Sequence, residues 1–84
     1  MSVPLELEGG GAAELTSLAG ERAVLVSDRA AAPGSRVVAR GLGFTYKIKA
    51  QRSIREGERF EVRGRLFDLT RDARLALQAA LDEP

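Results

Sequence analysis

Two segments near the middle of the chain, 44–50 and 60–66, alternate between apolar and polar residues at every position. Every second residue is apolar, beginning at Phe44 in the first segment and at Phe60 in the second. A period of two belongs to a β-strand that buries one face and exposes the other. The sequence therefore predicts two half-buried strands at its centre.

The short segment between these strands predicts a hairpin. Gly57 suits the left-handed position that closes a three-residue loop over residues 55–57. Such a loop puts Ile48 opposite Gly64, so the apolar faces of the two strands coincide. On the outer face the same register sets two pairs of bases against each other, Lys47 opposite Arg65 and Lys49 opposite Arg63.

The basic outer face of this hairpin needs an explanation, because like charges opposed across a sheet are destabilising. Residues 35–67 carry nine bases against three acids, whereas residues 1–34 carry five acids against two arginines. Three interpretations stay open: a solvated face, a face covered by the acidic N-terminal third, or a surface kept for an anionic partner. The candidate anion or partner surface consists of Lys47, Lys49, Arg63 and Arg65.

Four further strand patterns precede this hairpin and are separated by breaks rich in glycine, such as Gly9-Gly10-Gly11. They cover residues 3–8, 12–18, 22–27 and 36–40. Residues 23–26 are continuously apolar, which predicts burial on both faces of that strand.

The chain ends in a helical pattern over approximately residues 70–82. Thr70 is a good N-cap, and Ala73, Leu77 and Leu81 form an apolar stripe at helical spacing. Leu75 lies off this stripe. We therefore predict one domain over residues 1–84, an all-β fold with a C-terminal helix, built as a small six-stranded antiparallel barrel.

The sequence contains no cysteine and no histidine, so it lacks disulfides, the commonest general base and the commonest metal ligands. We expect no enzymatic activity, no catalytic residue, no metal site and no cofactor. No apolar run approaches the roughly twenty residues of a membrane span, and the first residues lack the features of a secretory signal. We therefore expect a cytoplasmic protein without membrane insertion.

From Ser17 onward the order of short motifs is similar to that of a PilZ domain. The segment Leu15-Thr16-Ser17-Leu18-Ala19-Gly20 keeps the serine and the glycine of the family's barrel signature, and residues 64–71 lead into a helix as in the family. The resemblance implies a six-stranded barrel with a C-terminal helix. Many members of the family bind the bacterial messenger cyclic di-GMP, which makes Ser17, Gly20 and Arg22 candidate ligand-binding residues. Ser17 and Gly20 also have a simpler interpretation, as residues that turn the chain.

The chain departs from the PilZ pattern at two places. Leu15 stands where the signature has Asp or Asn, and no arginine precedes Arg22, so the family's arginine clamp ahead of the first strand is missing. Arginine contacts are the strong ones in phosphate recognition. The resemblance therefore implies weak or no cyclic di-GMP binding, as in PilZ proteins that act through protein partners in type IV pilus or motility control.

The leading prediction is a non-catalytic, PilZ-like regulatory module that contacts another protein. One alternative is a cyclic di-GMP receptor that uses Arg22 and the bases of the 44–67 hairpin in place of the clamp. A second is a small basic barrel on nucleic acid, which is disfavoured because Phe44 and Tyr46 fall on the apolar face, away from the bases. A homodimer also stays open.

Overall fold

A computed structural model describes residues 2–82 and shows a closed six-stranded antiparallel β-barrel followed by one helix. In chain order the elements are β1 (Val3–Leu7), β2 (Ala12–Ala19), β3 (Arg22–Ser27), β4 (Arg36–Gly41), β5 (Phe44–Glu56), β6 (Arg59–Phe67) and α1 (Arg71–Asp82). Around the barrel the strands follow the order β1-β2-β3-β6-β5-β4, and β4 closes the ring against β1. The predicted fold class is confirmed.

The central hairpin forms, but its predicted register is wrong by two residues. Ile48 and Val62 are 1% and 3% exposed, so both strands turn their apolar side inward as expected. Ile48 lies opposite Leu66 for two reasons: the loop contains two residues, Gly57 and Glu58, and not three, which shifts the register by three residues, and a bulge farther along β5 takes one residue back. A shift of two residues preserves the inward face of each strand, which is why the burial prediction survives.

A β-bulge in β5 changes the pairing of the basic residues. The register shifts between Ala50 and Arg52, so Gln51 is the extra residue of the longer strand. Lys49 is therefore opposite Arg65, and Arg63 is opposite Arg52; neither predicted pair of bases is observed.

The core fills the barrel with aliphatic side chains and one aromatic ring, that of Tyr46, which is 1% exposed. In β3, Ala23 and Leu25 point inward and are buried, whereas Val24 and Val26 point outward and are half-buried. The expected burial of residues 23–26 on both faces is incomplete, because a barrel made of one sheet buries only its inner face.

Helix α1 packs its apolar stripe against one end of the barrel. The Thr70 Oγ1 accepts a hydrogen bond of 3.2 Å from the Ala73 backbone N–H, so the predicted N-cap is confirmed. Ala73 and Leu77 are buried, and Leu75 is 54% exposed. Since β6 leads into α1, the helix lies at the end of the barrel where β6 finishes. The β1–β2 and β3–β4 loops lie at the opposite end.

Candidate functional site

Four basic side chains lie side by side on the outer surface of four adjacent strands. Arg36 of β4 is opposite Lys49 of β5, Lys49 is opposite Arg65 of β6, and Arg65 is opposite Arg22 of β3. We call these four residues the basic row. Neighbouring strands are about 4.8 Å apart, so the row is about 14 Å long. All four residues are exposed, and none makes an ion pair with any residue in 2–82.

The position of Arg36 in this row follows from the turn between β4 and β5. Leu42 and Gly43 form a two-residue loop in which both φ angles are positive, 55° and 80°. Positive φ at both central residues characterises the type I′ turn of tight hairpins. This turn aligns Arg36 with Lys49. The strand pattern over residues 36–40 does not indicate which strand lies beside it, so Arg36 was not among the predicted surface residues.

A second row runs beside the first and contains Ser17, Val24, Arg63 and Arg52, each opposite the next on β2, β3, β6 and β5. The second row contains two bases, Arg63 and Arg52. Arg63 Nε donates a hydrogen bond of 2.7 Å to Glu61 Oε1, which compensates the charge of Arg63. The two rows together form the basic face. It unites Ser17 and Arg22, predicted from the motif, with Lys49, Arg63 and Arg65, predicted from the hairpin. Gly20 lies in the exposed β2–β3 turn beside it.

Lys47 stands apart from both rows. It is opposite Val38 and Phe67, and its Nζ lies 3.9 Å from Asp68 Oδ2. Phe67 points outward, and the Arg36 guanidinium lies over its ring at 5.6 Å from the centroid. The end of the basic row at Arg36 is therefore held against an aromatic surface.

The acidic N-terminal third does not cover the basic face. Glu6 and Glu14 lie on β1 and β2, across the barrel from β6 and β5. Glu8 Oε2 is 3.9 Å from Arg40, which is outside both rows. The side chains of Lys47 and Arg63 are 50% and 59% exposed. Glu21, in the β2–β3 turn next to Arg22, makes no ion pair with the row either. Of the three interpretations left open by the sequence, coverage by the acids of the N-terminal third is wrong.

A shallow groove follows the basic row on the β4–β5–β6 side. Its lining includes Arg36, Lys49, Gln51, Arg65 and Phe67. Guanidinium groups present planar sets of N–H donors that match carboxylate and phosphate oxygens, and the lysine adds a point charge. The groove is therefore suited to an extended anion, or to a run of carboxylates on a protein surface.

The motif position that departs from the PilZ signature lies inside the barrel. Leu15 is 1% exposed and belongs to the core, whereas Ser17, two residues later, is exposed on the outer face. The register of β2 against β3 shifts between Leu15 and Ser17, and Thr16 Oγ1 donates a hydrogen bond of 3.1 Å to the Val24 carbonyl. The leucine therefore contributes packing and offers no polar contact to a ligand on the basic face.

Within residues 2–82 no group of three or more acidic side chains is placed to hold a metal ion. The one helix described there is too short and too polar to cross a membrane. Comparisons with protein-family models, curated proteins and solved structures find no match for this chain. The resemblance to PilZ domains therefore stays a prediction from short motifs.

Proposed function

We propose that this protein is a non-catalytic, PilZ-like regulatory module of the bacterial cytoplasm whose basic face binds an acidic surface of a partner protein. The pathway we propose is cyclic di-GMP, type IV pilus or motility signalling. The observation that carries the proposal is the basic row. Four bases opposed across adjacent strands, without an ion pair among the described residues, destabilise the isolated barrel. A partner that brings carboxylates to the row removes this repulsion.

A protein partner is favoured over the messenger by the chemistry of the motif position. Leu15 occupies the place of the family's Asp or Asn and is a core residue, 1% exposed. Weak or no cyclic di-GMP binding is therefore proposed, because a buried leucine offers no polar contact to the messenger.

The test compares two double variants with the same change in net charge. One variant carries Arg22→Glu and Arg65→Glu in the basic row; the control carries Arg59→Glu and Arg71→Glu, both exposed and outside it. Calorimetry measures the binding of a glutamate-rich peptide at an ionic strength of about 0.1 M. We expect the row variant to lose at least about tenfold in affinity and the control to lose much less, since exposed charges act over a Debye length of about 10 Å.

Two results would contradict the protein-partner proposal. Equal losses in the two double variants would mean that net charge, and not the row, governs binding. Absence of peptide binding to the wild type even at low salt would remove the acidic surface as the partner. A pull-down with the three proteins tests the pathway. The pathway is supported if the wild type and the control retain a pilus or motility protein that the row variant does not retain.

Cyclic di-GMP is the second candidate, because Ser17 and Arg22 share the outer face with Arg63 and Arg65. In this alternative the bases of the two rows bind the phosphates of the messenger. Titration of cyclic di-GMP separates the candidates: tight binding that Ser17→Ala weakens and added salt reduces would favour the messenger. A gel shift with short single-stranded DNA at low salt tests nucleic acid, since non-specific phosphate binding is strongest there.

A further inference from the structure

The end of the barrel opposite α1 opens into a cavity of about 320 Å³. Its floor is apolar and includes Ala13, Leu25 and Val62, which are 2%, 2% and 3% exposed, and the half-buried Val37 belongs to its wall. Small-molecule pockets span about 300–1,000 Å³ and are common at the mouths of β-barrels. The cavity is therefore large enough for a small ligand with an apolar body.

The cavity stays open because the residues around its mouth are small. From the β1–β2 loop, Gly9 and Gly10 line the cavity, and neither carries a side chain that could fill it. From the β3–β4 loop, Ala30 and Ala31 line the other side. Helix α1, which covers the opposite end, does not reach this one.

Arg29 is held at this mouth by both loops. A Cβ at Gly10 would lie 3.3 Å from an Arg29 terminal nitrogen, and one at Gly11 would lie 3.1 Å from Nε, so the arginine packs closely on the glycine backbone. The Arg29 backbone N–H donates a 3.0 Å hydrogen bond to Ser27 Oγ, which is buried. The preceding Asp28 accepts hydrogen bonds of 3.1 and 3.2 Å from the Ala12 backbone N–H, which ties the two loops together.

Arg29 makes no ion pair within residues 2–82, although the Asp28 carboxylate is close to it: a Cβ at Gly11 would lie 2.8 Å from Asp28 Oδ1 and 3.1 Å from Arg29 Nε. Arg36 is a second base on the cavity lining, with its guanidinium over Phe67. The acid on the lining is Glu8, which lies 3.9 Å from Arg40. An apolar cavity with a guanidinium at its mouth that makes no ion pair there complements a molecule that has an apolar body and one anionic end.

We propose that this cavity binds a small amphipathic carboxylate, with its aliphatic or aromatic body against Leu25 and Val62 and its carboxylate on Arg29. The site is at the end of the barrel, whereas the basic face is on its side; only Arg36 borders both. The proposal therefore does not depend on the proposed function.

The test uses decanoate as the probe, with decanol and decylamine as ligands of the same chain length and different charge. Calorimetry and backbone amide NMR shifts follow binding to the wild-type chain. We expect saturable 1:1 binding of decanoate, at least about tenfold tighter than that of decanol, because the carboxylate makes a charge-assisted hydrogen bond that the hydroxyl cannot make. The largest shift changes are expected at Leu25 and Val62.

Variants separate the cavity from other basic sites. Arg29→Gln is expected to remove the preference for decanoate over decanol. Arg71→Gln, the same change at the opposite end, is expected to leave the preference intact. Ala31→Phe, which fills the cavity from a loop, is expected to abolish binding of both ligands.

Three results would overturn the proposal: equal affinities for decanoate and decanol in the wild type, an equal effect of Arg29→Gln and Arg71→Gln, or shift changes confined to residues around Lys49 and Arg65. The last result would assign the carboxylate to the basic row. The shift changes are measured on the wild-type protein, so they show which site binds decanoate even if Ala31→Phe fails to fold.

Discussion

The single tyrosine of the chain carries a buried hydroxyl that has no hydrogen-bond partner within residues 2–82. Tyr46 is 1% exposed, and its ring lies at 6.4 Å from that of Phe44. A buried polar group that loses its water without gaining a partner costs about 1–3 kcal/mol. The ring therefore stabilises the core while its hydroxyl opposes folding.

Tyr46→Phe is predicted to raise the free energy of unfolding by about 1 kcal/mol, because it removes the unpaired hydroxyl and keeps the ring. Urea denaturation at neutral pH measures the difference. A clear loss of stability in the variant would show that the hydroxyl makes a stabilising contact.

The same residue gives a prediction for alkaline pH. Burial raises the pKa of the Tyr46 phenol above its usual value of about 10, because the interior disfavours the charged form. The unfolded chain then releases this proton at lower pH than the folded chain, so the wild type loses stability as the pH rises above about 10. Tyr46→Phe lacks this loss, and the stability gap between the two proteins should widen with pH in parallel urea titrations.

At the scale of elements, the turn between β4 and β5 places an ordinary side chain in the left-handed region. Leu42 has φ 55° and is 48% exposed. A branched apolar residue is unfavourable there by about 1–2 kcal/mol, whereas Asn tolerates this conformation. The local preference of Leu42 therefore opposes the hairpin that brings Arg36 to Lys49.

Leu42→Asn is predicted to stabilise the protein by about 0.5–1 kcal/mol, since Asn-Gly is the preferred pair in a type I′ turn. Thermal unfolding measures the gain. Leu42→Ala is the control, because it removes the exposed apolar side chain and keeps the unfavourable φ. An equal gain in both variants would assign the effect to the lost apolar surface and not to the turn.

Lys49 gives a second prediction at this scale, because it lies between two other bases of the basic row, Arg36 and Arg65. Lys49→Gln is predicted to raise the free energy of unfolding by about 0.2–1 kcal/mol at low salt, and the gain should shrink as salt screens the repulsion. Lys47→Gln is the matched control, since Lys47 lies 3.9 Å from Asp68 and faces no base across the sheet. Equal effects of the two changes at all salt concentrations would contradict mutual repulsion within the row.

Element identity and inward faces could be predicted from the sequence because both follow from local periodicity. The hairpin register could not, because Gly57 fits a left-handed position in both a two-residue and a three-residue loop, and its φ of 63° does not distinguish them. The bulge at Gln51 also has no local signal. As a result the predicted opposition of Lys47 and Arg65 is wrong, although both residues do point outward.

The candidate site was predicted in part for the same reason. Lys49, Arg63 and Arg65 could be placed on one face from their alternation with apolar residues. Their union with Arg22 requires the pairing of β3 with β6, between strands far apart in sequence. Periodicity within one strand carries no information about which strand lies beside it. The cavity at Arg29 depends on two loops meeting, and was not anticipated.

At the scale of the whole molecule, the ring of strands has a short seam between β1 and β4. Their register extends from Glu6 opposite Arg40 to Leu7 opposite Ala39, whereas β5 and β6 pair along most of their length. Local opening in proteins begins where few buried contacts and hydrogen bonds must break. The barrel should therefore open first at this seam.

Amide hydrogen exchange tests this prediction with two hydrogen bonds of equal length. The Glu8 N–H donates to the Val38 carbonyl at 2.8 Å across the seam, and the Leu66 N–H donates to the Glu21 carbonyl at 2.8 Å beside the core. The Glu8 amide is predicted to exchange much faster in native conditions, because its protection reflects seam opening and that of Leu66 reflects global unfolding. Similar protection at both amides would mean that the ring opens as one unit.

The separation of the basic face from Glu6 and Glu14 affects how the molecule orients while it diffuses toward a partner. With a net charge of only +1, it is nearly neutral at long range, yet six of its thirteen bases lie on the basic face and Glu6 and Glu14 lie across the barrel from it. Such a particle is an electric dipole, and the field of a negatively charged object turns it during diffusion. The protein would then meet an acidic partner with its basic face already turned toward it. The association rate would fall with ionic strength even though the net charge is small.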